Sequence, residues 1–166
     1  MKENVDKMYQ AYFQDVHRFL LSLSQNHHTA EDLVQETFFR AYLYLESYTG
    51  ENVKTWLFTV AYRVFIDDHR KQKRTVVKDQ GFFQRVFDKK KSLDHTLVTK
   101  ETIQEVIDIL ENLPEKHKHA VLLHDFHELT QKEAAQIMDI ETSYFKVLLY
   151  RGRQAIRRRK ADEGNE

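Results

Sequence analysis

Histidine is the first side chain here that invites a chemical reading: the chain has nine, and His117, His119, His124 and His127 stand close together. Imidazole is the commonest metal ligand, and His124 and His127, three apart, could share a helix face. Yet the stretch His124-Asp125-Phe126-His127-Glu128 has neither the HExxH spacing of a zinc helix nor a complete carboxylate set. At about 100° per residue, His119 and His124 also point to different faces of one helix. With no cysteine in the chain, disulfides, thiol nucleophiles and cysteine-ligated zinc are all excluded. The expectation is scattered surface and half-buried histidines, with no catalytic residue, metal, cofactor or small-molecule substrate. An enzyme is not expected.

The chemistry that remains is the gripping of polymers. In the C-terminal part, Arg151, Arg153 and the run Arg157-Arg158-Arg159-Lys160 follow a capping box, Thr130-Gln131-Lys132-Glu133. A short capped helix, a turn and a long basic helix make a helix-turn-helix, with Ala135, Ile140, Phe145 and Leu148 or Leu149 as its apolar anchors. Its turn needs positive φ, and Asp139 is one of the few residues besides glycine that tolerates it. Phe145, Leu148, Leu149, Gly152 and Ile156 share the face expected to be buried. The opposite face presents Ser143, Lys146, Val147, Tyr150, Arg151 and Gln154, which can meet base edges and thymine methyl groups in a major groove while the arginines take phosphates.

The N-terminal part offers two further surfaces. On the second helix Val34, Phe38, Ala41 and Leu45 form an inner side. Asp32, Gln35, Glu36, Phe39, Leu43 and Glu46 form an outer one, where acids beside exposed apolar groups mark a protein-binding face. The third helix interleaves Trp56, Phe58, Tyr62 and Phe65 with Lys54, Arg63, Arg70, Lys71, Lys73 and Arg74. Phe58, Tyr62 and Phe65 at i, i+4, i+7 are core positions first. Aromatics beside cations are also what holding unstacked bases requires.

These surfaces need helices to carry them. Val5, Met8, Tyr9, Tyr12, Phe13, Val16, Phe19, Leu20 and Leu23 recur at three- and four-residue steps, predicting a first amphipathic helix. Asn26-His27-His28 breaks it. Thr29 reads as the next N-cap, with Glu31 and Asp32 in an acidic first turn, for a helix running to about Glu46. After a loop around Gly50, a third helix is expected from about Thr55 to Lys71. Periodicity then fails from Thr75 to about Thr96, where Phe82, Phe83, Val86 and Phe87 could form a short helix. It returns at Ile103, Val106, Ile107 and Leu110. Pro114 suits the first turn of a helix carrying Ala120, Val121, Leu123 and Phe126. The last two helices end near Met138 and run from about Ser143 to Lys160. The fold class expected is all-α, two small domains at 1–74 and 97–162 joined by a linker at 75–96, which fully extended reaches up to ~70 Å.

Charge follows the same division. Lysine plus arginine and aspartate plus glutamate each total 26, for a net charge of zero. Residues 1–50 hold 4 bases and 7 acids, and residues 51–95 hold 11 and 6. Residues 96–140 hold 4 and 9, and residues 141–166 hold 7 and 4. The block balances of −3, +5, −5 and +3 put two polyanion-binding stretches beside two acidic ones. A uniformly basic coat and an acidic tail protein are both excluded. No signal peptide or membrane span is evident, so a cytoplasmic protein is expected.

Three stretches carry a resemblance: Ala30-Glu31-Asp32-Leu33-Val34-Gln35-Glu36-Thr37-Phe38, Thr55-Trp56-Leu57-Phe58 through Ile66-Asp67, and Leu113-Pro114 through Arg153. In this order and spacing they resemble the extracytoplasmic-function sigma factors of the bacterial sigma-70 family. The resemblance implies region 2, a linker and region 4, and an alternative sigma factor that recognises −35 and −10 elements and opens promoters of a stress or envelope regulon. It implies that Asp32, Gln35, Glu36, Phe39 and Arg40 meet core polymerase. The −10 element would be held by Asn52, Lys54, Thr55, Trp56, Tyr62, Arg63, Asp67, Arg70 and Lys71. The −35 element would be read by Ser143, Lys146, Val147, Tyr150, Arg151 and Arg153. Implied partners are core RNA polymerase, through its β′ clamp and β flap, promoter DNA, and an anti-sigma factor of a kind often membrane-anchored in this family. Two departures bear on sequence preference: Ala61-Tyr62-Arg63 where the family commonly has Ala-Arg-Asn, and Val147-Leu148 where it often has Ser-Arg. From the residues alone two other readings stay open, a helix-turn-helix repressor that senses a ligand or dimerises, and an adaptor without DNA contact.

Overall fold

The computed structural model describes residues 2–50, 52–71 and 108–164, and the chain divides into two compact units, Met1–Gln80 and Gly81–Glu166. Every described element is helical. The expected linker at 75–96, with its short helix, and the apolar positions Ile103, Val106 and Ile107 lie outside the described residues.

In the first unit, α1 (Lys2–Ser24), α2 (His27–Leu43) and α3 (Val53–Lys71) each pack on the other two. The three- and four-residue spacing brings Val16, Phe19, Leu20 and Leu23 of α1 inward. They meet Leu33, Val34, Phe38 and Ala41 of α2 and Leu57, Phe58, Ala61, Val64 and Phe65 of α3 in one buried core. At its centre the Phe19 and Phe58 rings stack with centroids 4.5 Å apart and planes 4° from parallel. Two buried hydroxyls are satisfied within their own helices, Ser22 Oγ on Phe19 O at 2.6 Å and Thr37 Oγ1 on Leu33 O at 2.7 Å.

The helix ends correct the sequence expectation. The N-cap of α2 is Asn26, not Thr29: Asn26 is extended (φ −150°), and its side chain accepts from Thr29 N–H at 2.9 Å. Helix α2 therefore starts two residues before Thr29, and Glu31 and Asp32 fall beyond its first turn. It stops at Leu43, and the chain continues as a 3-10 turn at Leu45–Ser47 rather than as α-helix to Glu46. Helix α3 begins at Val53, with Asn52 Oδ1 accepting from Thr55 N–H at 3.2 Å.

The described part of the second unit begins with the helical residues 108–112, whose Ile109 and Leu110 are buried. Pro114 is the N-cap of α4 (Glu115–Val121), one position earlier than expected. Helix α4 widens into a π-helical turn over Leu122–Phe126, closed by His127 N–H on Leu122 O at 2.8 Å. After a loop, α5 (Gln131–Met138) begins with both bonds of the capping box, Glu133 N–H to Thr130 Oγ1 and Thr130 N–H to Glu133 Oε1, each 3.1 Å. Asp139 ends it in the left-handed region at φ 56°, ψ 48°, and α6 (Thr142–Gly164) follows. Phe145, Leu148 and Leu149 are buried, as are Ala135 and Ile137 of α5 and Ala120 and Leu123 before them. Helices α4 and α6 cross at Gly152, where a Cβ would lie 2.7 Å from Val121 Cγ2 and 3.2 Å from the His117 carbonyl oxygen.

Candidate nucleic-acid and protein interfaces

The outer face of α6 is what its inner face leaves over. Once Phe145, Leu148 and Leu149 are buried, helical geometry turns Ser143, Lys146, Val147, Tyr150 and Arg151 to solvent, and all five are exposed. Tyr150, 63% exposed, accepts at its phenolic oxygen from Gln154 Nε2 at 3.0 Å, which steadies the ring on the helix surface. Tyr144 also stands out from the start of α6, with Lys116 Nζ 5.9 Å from its ring centroid. It was not singled out from sequence, though it adjoins Ser143 in the first turn of α6. Arg153 does not join this face. Its Nε donates to Asp125 Oδ2 at 3.0 Å and Nη2 donates to Asp125 Oδ1, a two-pronged grip on the π-helical turn. The Asp125 hydrogen bond holds the Arg153 pKa above its usual value, against the opposing effect of partial burial.

In the first unit the outer side of α2 is as exposed as its pattern predicts. Asp32, Gln35 and Glu36 face solvent, with Phe39 59% and Leu43 55% exposed beside them. Tyr42 and Tyr44 are exposed as well and widen the apolar patch toward the end of α2. They were missed because each lies outside the stripe that period 3.6 draws. Arg40 sits between helices instead of projecting outward: Nε donates to Glu36 Oε1 at 2.9 Å and Nη1 to Asp67 Oδ2 of α3 at 3.0 Å. The hydrogen bond to Asp67 is the leading cause of a raised Arg40 pKa.

The loop and α3 divide their residues between core and surface. Tyr62 is only 8% exposed and Thr55 is buried, so these two are not on the outer face; Phe58 and Phe65 are buried with them. Asn52, Arg63, Asp67, Arg70 and Lys71 are exposed, and Lys54 is half-buried with Nζ 5.6 Å from the Phe58 ring centroid. Trp56 is half-buried, its ring 5.2 Å from that of Tyr48 and tilted by 56°, just beyond the Gly50 turn. Among the described residues no group of three or more histidine, aspartate or glutamate side chains is arranged to hold a metal ion. Nor is any described helix long and apolar enough to cross a membrane.

A helix-turn-helix with a cationic outer face, and a separate helical unit that shows acids and aromatics on one side and cations on another, define a DNA-binding transcription protein with a second, protein-directed surface. Sequence comparison makes this specific. The profile "Sigma-70 region 2" matches residues 8–75 and "Sigma-70, region 4" matches residues 103–156. The chain is 40% identical over 154 residues to the ECF RNA polymerase sigma factor SigM of Bacillus subtilis, covering 92% of this chain and 93% of that protein. It is 32% identical over 145 residues to the RNA polymerase sigma factor SigV of the same organism, covering 87% and 83%. Its fold is similar to that of the sigma factor RpoE of Bartonella quintana, solved with the anti-sigma factor NepR, at TM-score 0.72 and 21% identity over 96% of this chain and 98% of that one. CnrH, solved with the cytosolic domain of CnrY, gives TM-score 0.69 and 15% identity over 94% and 86%. The chain belongs to the sigma-70 family, among its extracytoplasmic-function members. It is an alternative sigma factor, which serves RNA polymerase in promoter recognition and transcription initiation.

Proposed function

We propose that three exposed faces divide the work of this sigma factor. The α2 face of Asp32, Gln35, Glu36 and Phe39, extended by Leu43, docks on core polymerase at the β′ clamp. Asn52, Lys54 and Trp56, with Arg63, Arg70 and Lys71 of α3, hold the −10 element as it opens, and Asp67 lies among them. Ser143, Lys146, Val147, Tyr150 and Arg151 read the −35 element. The observation that carries this reading is the one-sidedness of each helix: its inner face is buried, while groups suited to a different partner stand in water on the outer one.

The chemistry fits each role. Acids around exposed Phe39 and Leu43 suit a basic protein partner with an apolar socket. Opening DNA costs a few kcal/mol per unstacked base, and cations beside Trp56 can offset that where the backbone splays. The protein makes and breaks no covalent bond in this scheme and is not an enzyme. It acts in the cytoplasm, where polymerase is, on a stress or envelope regulon. An anti-sigma factor, membrane-anchored, covers the polymerase-facing and DNA-facing surfaces until released. The solved complexes of fold relatives with NepR and with the cytosolic domain of CnrY support such a partner.

In vitro transcription with purified core polymerase and fragmented genomic DNA tests this. Transcripts that depend on the protein, from starts sharing spaced −35 and −10 sequences, are expected. The Phe39→Ala, Leu43→Ala double variant should weaken core binding, while Lys146→Ala and Tyr150→Ala should weaken −35 recognition at intact core affinity. If no transcript depends on the protein while another sigma factor works in the same mixture, the assignment fails.

A further inference from the structure

The DNA-facing strip of α3 contains a carboxylate where a polyanion must approach. At about 100° per residue, Arg63, Asp67, Arg70 and Lys71 fall within one arc of roughly 100° on α3, and all four are exposed. Left to itself, Asp67 would repel phosphates and offer its cationic neighbours a rival partner. What answers it is Arg40 on the neighbouring helix, whose Nη1 reaches Asp67 Oδ2 at 3.0 Å. The same guanidinium is shared: its Nε goes to Glu36 Oε1 at 2.9 Å, and Glu36 belongs to the acidic face of α2.

We propose that Arg40 is a positioning residue for promoter opening, one that acts by neutralising Asp67 and is itself divided between the polymerase-facing and DNA-facing surfaces. A planar guanidinium can hold two carboxylates at once because its donors are fixed in a fork. When a cationic group of the polymerase engages Glu36, one competitor for Arg40 is withdrawn. Arg40 is then committed to Asp67, and the strip on α3 becomes a better acceptor for DNA. Coupling of this kind is reciprocal, so promoter DNA on α3 also alters how the α2 face holds polymerase. Both carboxylates are about half exposed, so the effect is a modest one that screening by salt reduces. The inference rests on the assignment of α2 to polymerase and α3 to the −10 element.

The test uses the full chain with core polymerase and a promoter carrying 2-aminopurine in its −10 element, whose fluorescence reports opening; core affinity is measured separately. Arg40→Gln should lower opening at saturating core by about threefold, the scale of one exposed ion pair. Adding Asp67→Asn to that variant should restore opening to within about twofold of the parent, since the repelling charge is gone. Arg40→Lys, which keeps the charge and loses the fork, should open better than Arg40→Gln. A double variant as impaired as Arg40→Gln alone would overturn the proposal, because a merely structural bridge is not mended by removing its second half. Should Arg40→Gln fail to fold by circular dichroism, comparing Arg40→Lys with and without Asp67→Asn decides, and absence of rescue again sinks it. If Arg63→Gln with Arg70→Gln leaves opening at the parental level, the −10 assignment of α3 has failed instead.

Discussion

Gly152 sits where α4 and α6 cross closely, and the cost of filling it can be worked out. An added Cβ would meet Val121 Cγ2 at 2.7 Å and His117 O at 3.2 Å, against an ordinary contact that begins at 3.4 Å. The shortfalls are 0.7 Å (3.4 − 2.7) and 0.2 Å (3.4 − 3.2). Val121 cannot readily swing aside, because a β-branched side chain in a helix is held to one strongly preferred rotamer. The His117 oxygen is backbone and moves only with α4. Helices α4 and α6 must therefore part, at the roughly 1–3 kcal/mol that overpacking a core usually costs. Alanine recovers about 1 kcal/mol of that as the better helix former. For Gly152→Ala the balance is a loss of about 1 kcal/mol, and Gly152→Val should lose several. The assay follows from composition. The single tryptophan, Trp56, lies in the first unit. In urea, Trp56 fluorescence should report the same midpoint as in the parent, while far-ultraviolet circular dichroism shows a component shifted to lower denaturant. A Gly152→Ala protein as stable as its parent by dichroism would refute the close crossing of α4 and α6.

Three further outcomes are expected. Phe58→Ala removes half of the stacked pair with Phe19 from a site 1% exposed and should destabilise the first unit by about 3–5 kcal/mol, read as an early Trp56 transition. Asp139→Gly relieves a side chain held at φ 56° and should raise the stability of the second unit by up to about 1 kcal/mol, seen as a higher thermal midpoint. Thr130→Ala removes the hydroxyl that accepts from Glu133 N–H, one of the two bonds of the capping box, and should cost about 1 kcal/mol, with amide exchange quickening first at the start of α5.

The helices that carry the three faces were legible because burial on one side imposes a period that residue types can reveal. Phe145, Leu148 and Leu149 define the outer face of α6 by subtraction, and the acid and aromatic stripe of α2 followed in the same way. The capping box at Thr130 and the left-handed Asp139 were legible too, because each depends on side chains within three or four residues of one another. The N-terminal cap of α2 was not. Asn26 and Thr29 are both good caps three residues apart, and only the extended backbone at Asn26 decides between them. Leu45 continued the apolar period past the point where the chain turns to 3-10 geometry, which hid the end of α2. Pairs distant in sequence were invisible to any local pattern. Arg40 with Asp67 and Arg153 with Asp125 are 27 and 28 residues apart, so two arginines expected at partners turned out to be engaged within the protein. Phe58, Tyr62 and Phe65 offered a choice between core and stacking platform, and their burial supports the core.

The π-helical turn at Leu122–Phe126 acts as a phase shifter. It closes with a bond from residue 127 to residue 122, one residue longer than an α-helical turn. Each residue advances a helix by about 100°, so the chain leaves α4 rotated by roughly that step from the exit an uninterrupted α-helix would provide. That angle helps set where Asp125 meets Arg153 and where the loop delivers Thr130 to cap α5. The number of residues between Glu115 and Phe126 thus matters in its own right. Substitutions there act through local packing, whereas a single deletion would re-aim everything downstream, α6 included.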